Sequence, residues 1–186
     1  MTELERRLAR VRREIDEAAR RAGRSADAVT LVAAVKTQSN DTVRAAVAAG
    51  IADCGENRVQ ELTAHLAAGA FAGARLHFIG HLQTNKVKEV VDRAALIHSV
   101  SSERLLRAIE ARAAALGIVQ EVLLEVNLAG EASKSGFSVE EALPAALLAA
   151  TLPHVRVRGL MCIPPIAAAP GANRPYFAKM RALGVD

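Results

Sequence analysis

The sequence predicts an α/β fold in which short strands alternate with helices. Six short, mostly apolar runs recur along the 186 residues, and a helical segment follows each of them. Strands that alternate with helices in this way form parallel βαβ units, whose sheet is covered by helices. A doubly wound open sheet and a (β/α)8 barrel both fit this alternation.

A charged helix precedes the first strand. Leu4, Leu8, Val11 and Ile15 recur at helical spacing and predict one apolar stripe, which Gly23 is expected to end. Eight arginines lie in this segment, but acidic residues interrupt them. We interpret the charged side as a solvated helix face, because no aromatic residues are interleaved that could stack on nucleic-acid bases.

The predicted elements then follow in alternation. Strands are expected at residues 29–35, 51–54, 76–79, 96–100, 119–126 and 155–163. Helices are expected at residues 41–49, 57–67, 85–93 and 103–116, after Ser138, and from about Arg174. Ser138 and Glu141 have the spacing of a capping box, which predicts where the helix after the fifth strand begins.

Composition predicts one cytoplasmic domain over residues 1–186. The length suits a single domain, and 51% hydrophobic residues can fill its core, although aromatics make up only 3%. No apolar run reaches the roughly 20 residues that cross a bilayer, and the first residues lack the apolar segment of a signal peptide. Cys54 and Cys162 lie outside any CxxC pattern, so we expect neither a disulfide nor a metal site.

Polar residues and glycines cluster just after the predicted strands, and a methionine lies within the last one. In both candidate architectures the carboxyl ends of parallel strands form the ligand-binding edge. The residues at these positions are Lys36, Gly55, Glu56, Asn57, Gly80, His81, Ser99, Asn127 and Met161.

Lys36 is the most informative of them. Lysine is rarely buried, so a lysine at the end of an apolar strand requires an explanation. Its stem could pack against the strand while its ammonium reaches solvent. Alternatively it forms a Schiff base, since desolvation by apolar neighbours lowers the pKa of a lysine and frees its amine to attack an aldehyde. Position alone leaves both interpretations open.

Seven segments form a more specific pattern. They are VKT (35–37), CGENRVQE (54–61), HFIGHLQTNK (77–86), IHSV (97–100), EVN (125–127), SKSG (133–136) and RGLMCIPP (158–165). In this order and spacing they closely resemble the pyridoxal phosphate homeostasis protein family, from about residue 29 to the end.

The resemblance implies a (β/α)8 TIM-barrel fold of the type found in the N-terminal domain of alanine racemase. It implies pyridoxal 5′-phosphate held as a Schiff base on Lys36, with Asn57 and Met161 near the ring, and a role in intracellular vitamin B6 homeostasis without catalytic turnover. The expected partners are the small-molecule cofactor and, as a further class, apo-enzymes that receive it; nucleic acid and membranes are not expected. A monomer or a weak dimer fits this role. Further motif positions without an assigned role are His81, Asn85, Ser99, Asn127 and Ser135.

The family pattern extends past Asp186. Its later segments hold the cofactor phosphate, as the loops after strands seven and eight commonly do in barrels. We therefore expect a barrel truncated after about six strand–helix units and incomplete at its C-terminus, with weak cofactor binding and an exposed sheet edge.

Three other functions fit parts of the pattern. A pyridoxal-phosphate-dependent amino-acid racemase would use the same lysine, but it needs acid–base groups on both faces of the substrate carbon, and the only tyrosine is Tyr176. A Schiff-base aldolase usually carries its lysine on a late strand, whereas Lys36 lies on the first. A nucleic-acid-binding module would rest on the arginine-rich helix alone.

Overall fold

The computed structural model describes residues 1–131 and 134–184. These residues form two compact units. The first comprises Met1–Glu56 and Gln60–Leu76, and the second comprises Asn57–Val59 and the chain from His77 onward. The single barrel domain expected over 1–186 stays a prediction.

The first unit follows the predicted order of elements. They are α1 (Glu3–Arg21), β1 (Val32–Ala34), α2 (Asn40–Ala48), β2 (Asp53–Glu56) and α3 (Val59–Ala67). β1 and β2 pair in parallel, with Val32 opposite Asp53 and Ala34 opposite Gly55. Val43, Leu62 and Phe71 are buried in this unit, so small and branched side chains build most of its core.

α1 is the amphipathic helix that its spacing predicts. A capping box closes its first turn: the Thr2 hydroxyl accepts the Glu5 N–H, and the Glu5 carboxylate accepts the Thr2 N–H. Its arginines pair with acids one turn away, as Arg7 does with Glu3 at 2.8 Å, which contributes a few tenths of a kcal/mol per pair. Leu8 lies on the buried side, in agreement with the predicted stripe.

The second unit holds the remaining strands. Its elements are β3 (Arg75–Phe78), which begins at the end of the first unit, α4 (Val87–Val90), β4 (Leu96–Val100), α5 (Glu103–Leu116), β5 (Gln120–Glu125), α6 (Val139–Ala150), β6 (Val155–Met161) and α7 (Arg174–Leu183). β3 pairs with β4, β4 with β5 and β5 with β6, all in parallel, as predicted. Its buried side chains include Phe78, Ile97 and Ile109, each worth about 1.5–3 kcal/mol when removed from water.

Several predicted boundaries are correct, and the largest differences are in β1 and α4. β4, α5 and the capping box of α6 lie where the sequence places them. β1 is shorter than the run 29–35: it spans Val32–Ala34, and at Val35 the chain already enters a turn closed by the Gln38 N–H on the Val35 carbonyl. The helix expected at 85–93 is shorter and spans Val87–Val90, because Val91 adopts an extended conformation. Asp92, which follows, has a left-handed φ of 77° and donates its N–H to the Gln120 side chain.

The cysteines behave as packed thiols. Cys54 is fully buried, and its burial, reinforced by nearby Asp53 and Glu56, raises its pKa to about 11. Cys162 is half-buried, and neither sulfur is in a disulfide. None of the described helices combines the length and apolarity that crossing a membrane requires.

A histidine pair links β3 to β4. His77 Nδ1 lies 2.8 Å from His98 Nε2, and the rings meet edge to face at 66°. Burial lowers the pKa of His98 to about 4, and the neighbouring His77 adds to this effect. The His98 ring is therefore neutral near pH 7.

This pair predicts a specific loss of stability in acid. The unfolded chain binds a proton on His98 near pH 6.5 and the folded chain only near pH 4, so the free energy of unfolding falls as pH drops between these values. We expect a contribution of about 1–2 kcal/mol, discounted for the partial exposure of the ring. Denaturant unfolding of wild type and His98→Gln at pH 7 and pH 4.5 measures it; equal losses in both proteins would contradict the assignment.

Candidate functional sites at the carboxyl ends of the strands

Lys36 lies just after β1, where the sequence places it. Val35, the residue before it, is buried, and its N–H donates to the Gly55 carbonyl of β2 at 3.0 Å. The Lys36 side chain is exposed. Of the two surroundings considered for Lys36, a side chain that reaches solvent agrees with the structure, and burial among apolar neighbours does not.

The residue that follows Lys36 has an unusual backbone. Thr37 adopts a φ of 62°, in the left-handed region that β-branched residues seldom occupy. Its N–H donates to Glu61 Oε2 at 3.0 Å, and its hydroxyl donates to the Lys36 carbonyl at 2.6 Å. A turn closes around both residues, because the Gln38 N–H donates to the Val35 carbonyl at 3.1 Å.

A buried histidine holds the far side of this turn. His65, on α3, is 6% exposed, and its Nε2 lies 3.1 Å from the Gln38 carbonyl. Its Nδ1 lies 2.6 Å from Glu56 Oε1, a carboxylate with no exposed surface. The carbonyl can only accept, so Nε2 donates to it, and a second proton lies between Nδ1 and the Glu56 carboxylate.

The second unit contains a polar cavity of about 250 Å³ at the ends of β3, β4 and β5. It brings together Asn57 and four motif residues whose roles the sequence leaves open: His81, Ser99, Asn127 and Ser135. Its wall also includes Gly80, Glu125 and Lys134. Of the other residues named from the sequence, neither Met161, which is half-buried at the end of β6, nor the exposed Asn85 lines it.

A close backbone approach places Asn57 at this cavity. A methyl group at Gly80 would lie 2.0 Å from the Asn57 carbonyl oxygen, so no other residue type fits there without movement. The Ser99 hydroxyl donates to the Gly80 carbonyl at 2.5 Å and fixes the same segment from β4. Glycine is therefore required at position 80 by space rather than by backbone angle.

Two further contacts shape the rim of the cavity. The Asn127 amide donates to the Glu131 carbonyl at 2.8 Å and so folds the loop after β5 back on itself. In that loop Ser135 Oγ lies 3.0 Å from His81 Nδ1. His81 thus pairs with Ser135, and Gln83 precedes the next helical turn. Ser133 of the same motif lies outside the described residues.

Glu125 is the one strongly buried acid of this cavity among the residues described. It is 8% exposed, and its Oε2 has no hydrogen-bond partner in the described part of the chain. Burial raises the pKa of its carboxyl, and the nearby His81 only partly opposes this effect. Sequence reasoning missed its role, although it opens the EVN segment after a run of apolar residues.

Comparison with known proteins identifies the fold. The sequence profile described as alanine racemase, N-terminal domain, matches residues 7–184. An alanine racemase of Clostridium difficile superposes with a TM-score of 0.69 at 10% identity, over 83% of this chain and 41% of its own. At that identity the likeness shows the fold alone. The fold is the barrel type of the alanine racemase N-terminal domain, as the motifs predict.

Relatives with higher sequence identity show which family the chain belongs to. The pyridoxal phosphate homeostasis protein of Aquifex aeolicus is 42% identical over 177 residues, covering 95% of this chain and 78% of the relative. That of Pseudomonas aeruginosa is 38% identical over 187 residues, covering 100% of this chain and 81% of the relative. The structure of PipY from Synechococcus elongatus with PLP bound has a TM-score of 0.83 at 29% identity and covers 98% of this chain and 80% of its own. The chain belongs to the pyridoxal phosphate homeostasis protein family.

The raised pKa of Glu125 predicts how stability depends on pH. Its folded pKa lies above its unfolded value, so the stabilising contribution of the neutral acid is complete below the unfolded pKa and is lost as pH rises through the folded one. We therefore expect Glu125→Gln, which stays neutral, to gain stability relative to wild type between pH 4 and pH 8. Parallel denaturant titrations at both pH values measure it. A difference that does not change with pH would contradict a carboxyl whose pKa is raised by burial.

The approach of Asn57 to Gly80 predicts a strong effect of one added methyl group. Because the clash is with backbone, Gly80→Ala is expected to lower the free energy of unfolding by about 3 kcal/mol or more. Thermal unfolding measures this. Gly69→Ala is the control for replacing a glycine by alanine. A methyl group added at Gly69 would have no atom within 4 Å, although the φ of 62° at this position strains an alanine. A cost at Gly80 no larger than at Gly69 would contradict the close approach.

Proposed function

We propose that this chain binds pyridoxal 5′-phosphate as a Schiff base on Lys36 and serves intracellular homeostasis of the cofactor without turning over a substrate. The observation that carries the proposal is the match to PipY with PLP bound, which extends over 98% of this chain. The names of the Aquifex and Pseudomonas relatives support the homeostatic role.

The placement of Lys36 suits this chemistry. Its amine attacks the aldehyde carbon as a neutral group, a carbon–nitrogen double bond forms, and the aldehyde oxygen leaves as water, so no oxidant or reductant is needed. The exposed side chain is reachable by a cofactor from solvent. When bound, the cofactor supplies an electron sink for amino-acid chemistry.

The polar cavity of the second unit supports a ligand-binding role for that unit as well. Hydrogen-bonding groups converge on a volume of about 250 Å³ at strand ends, where parallel α/β proteins bind ligands. By the family resemblance, we propose Asn57 and Met161 as contacts of the cofactor ring. Asn57 lines this cavity, whereas the proposal for Met161 rests on the resemblance alone.

A non-catalytic role is proposed over a racemase for two reasons. The relatives at 42% and 38% identity are named for homeostasis. The tyrosine that could serve as a second base, Tyr176, lies on α7 and is not among the residues lining the cavity. Conversion of L-alanine to D-alanine by the chain with added cofactor, followed by chiral chromatography, would favour the racemase instead.

The direct test of the proposal is chemical trapping. We expect pyridoxal phosphate to give the absorbance of a protein-bound Schiff base, and borohydride followed by peptide mass spectrometry to place the reduced adduct on Lys36. Lys36→Ala should reduce the labelling to background. Lys36→Arg should do the same while it keeps the positive charge, which separates bond formation from attraction of the phosphate.

The matched control is Lys88→Ala. Lys88 is an exposed lysine on α4 outside the cavity wall, and its removal should leave the label on Lys36 unchanged. Label distributed equally among the lysines, or unaffected by Lys36→Ala, would overturn the assignment of the cofactor lysine.

A further inference from the structure

We infer that Glu61 and the Glu56–His65 pair are positioning residues for Lys36, which hold the turn 35–38 in the one conformation from which the lysine amine bonds efficiently to its aldehyde. The inference rests on the proposed function, because positioning matters only if Lys36 forms that bond. Neither the names of the relatives nor the family match assigns a role to these side chains.

The backbone of Thr37, directly after Lys36, needs support from neighbouring groups. A β-branched residue at a φ of 62° is strained, and such a conformation persists only where neighbouring groups hold it. The Thr37 N–H is directed at Glu61 Oε2, 3.0 Å away. A hydrogen bond from an amide to a carboxylate is among the stronger ones in proteins. Glu61 therefore offsets the strain immediately after Lys36.

The backbone carbonyl of Gln38 is held by a second contact. The backbone carbonyl oxygen of Gln38 lies 3.1 Å from His65 Nε2. The His65 ring is oriented by Glu56, whose Oε1 lies 2.6 Å from His65 Nδ1. Because both ring nitrogens face oxygen acceptors, the pair must retain a second proton to satisfy them. A buried carboxylate that fixes the orientation of a histidine ring is a common way to make such a contact rigid.

All of these contacts come from two elements, β2 and α3. β2 supplies the Gly55 carbonyl, which accepts the Val35 N–H at 3.0 Å, and it ends at Glu56. α3 supplies Glu61 and His65, one turn apart on the same helix. The backbone is thus held immediately before Lys36 and immediately after it by regular secondary structure.

An amine whose backbone is fixed on both sides reacts with less loss of conformational freedom. If the turn relaxed to an ordinary backbone conformation, the direction of the Lys36 Cα–Cβ bond would change with it. The expected consequence is weaker apparent affinity and slower bond formation, even when the chain remains folded.

The experiment compares three Glu61 variants in the whole chain. Pyridoxal phosphate is titrated by the absorbance of the Schiff base, and the adduct on Lys36 is trapped and quantified. Glu61→Ala removes the acceptor and should weaken binding about tenfold, equivalent to about 1.4 kcal/mol. Glu61→Gln keeps an oxygen that accepts the Thr37 N–H, so its affinity should stay within about threefold of wild type. Glu61→Asp keeps the charge but shortens the reach, and should resemble Glu61→Ala; it substitutes for the alanine variant if that chain does not fold.

A matched control exists in the second unit. Glu110 accepts the His154 N–H and faces His154 Nδ1, both at 2.9 Å, so it makes the same kinds of contact away from Lys36. Glu110→Ala should lower the thermal unfolding temperature but leave the affinity for pyridoxal phosphate unchanged. A loss of affinity in Glu110→Ala equal to that in Glu61→Ala would mean that general destabilisation explains the effect, and the inference would be overturned.

A second substitution tests the role of strain. Glycine adopts a φ near 60° without cost, so Thr37→Gly introduced into Glu61→Ala should recover part of the lost affinity. No recovery, or binding by Glu61→Ala equal to wild type, would contradict the inference. These outcomes are distinct from failure of the proposed function, in which wild type itself gives no Schiff base on Lys36.

Discussion

The backbone after β1 depends on a hydrogen bond from the Thr37 N–H to the Glu61 carboxylate. It stabilises a left-handed residue at the position where the chain leaves the strand. The buried His65 also holds this turn: its ring contacts the Gln38 carbonyl on one side and the Glu56 carboxylate on the other. In the first unit, β2 and α3 thus both contact the short segment 35–38 that carries the exposed Lys36.

The second unit uses a different device at its strand ends. Backbone contact between Asn57 and Gly80 removes the room for a side chain at residue 80, and the Ser99 hydroxyl holds that segment from β4. Because the strands are parallel, their carboxyl ends lie at one edge, and polar residues that follow different strands come together there. Glu125 is the least favourable member of this group, since its side chain is 8% exposed and its Oε2 has no hydrogen-bond partner among the described residues.

Much of this arrangement could be predicted from the sequence. The alternation of apolar strands and helices identifies every strand, and the capping box at Ser138 fixes the start of α6. The predicted strands also place Asn57, Ser99 and Asn127 at strand ends, where the cavity is found. Such features depend on local residue spacing and on the geometry of parallel sheets, and both can be inferred from the amino-acid sequence.

Other features could not be predicted because they depend on contacts between distant residues. Nothing near Thr37 in the sequence indicates a left-handed backbone; its partner Glu61 is 24 positions away. The sequence also left open whether Lys36 is exposed or buried, since an apolar strand ahead of a lysine does not show what covers its side chain. Just beyond the early end of α4 at Val90, the Asp92 N–H donates to the side chain of Gln120, a residue 28 positions away that the helical pattern does not contain.

A crystal structure of the chain grown with pyridoxal 5′-phosphate would show whether Lys36 carries the cofactor. We predict continuous electron density from Lys36 Nζ to the aldehyde carbon of the cofactor, with Thr37 still left-handed and its N–H donating to Glu61. Cofactor bound through another lysine, or bound while the Lys36 amine stays free, would contradict it.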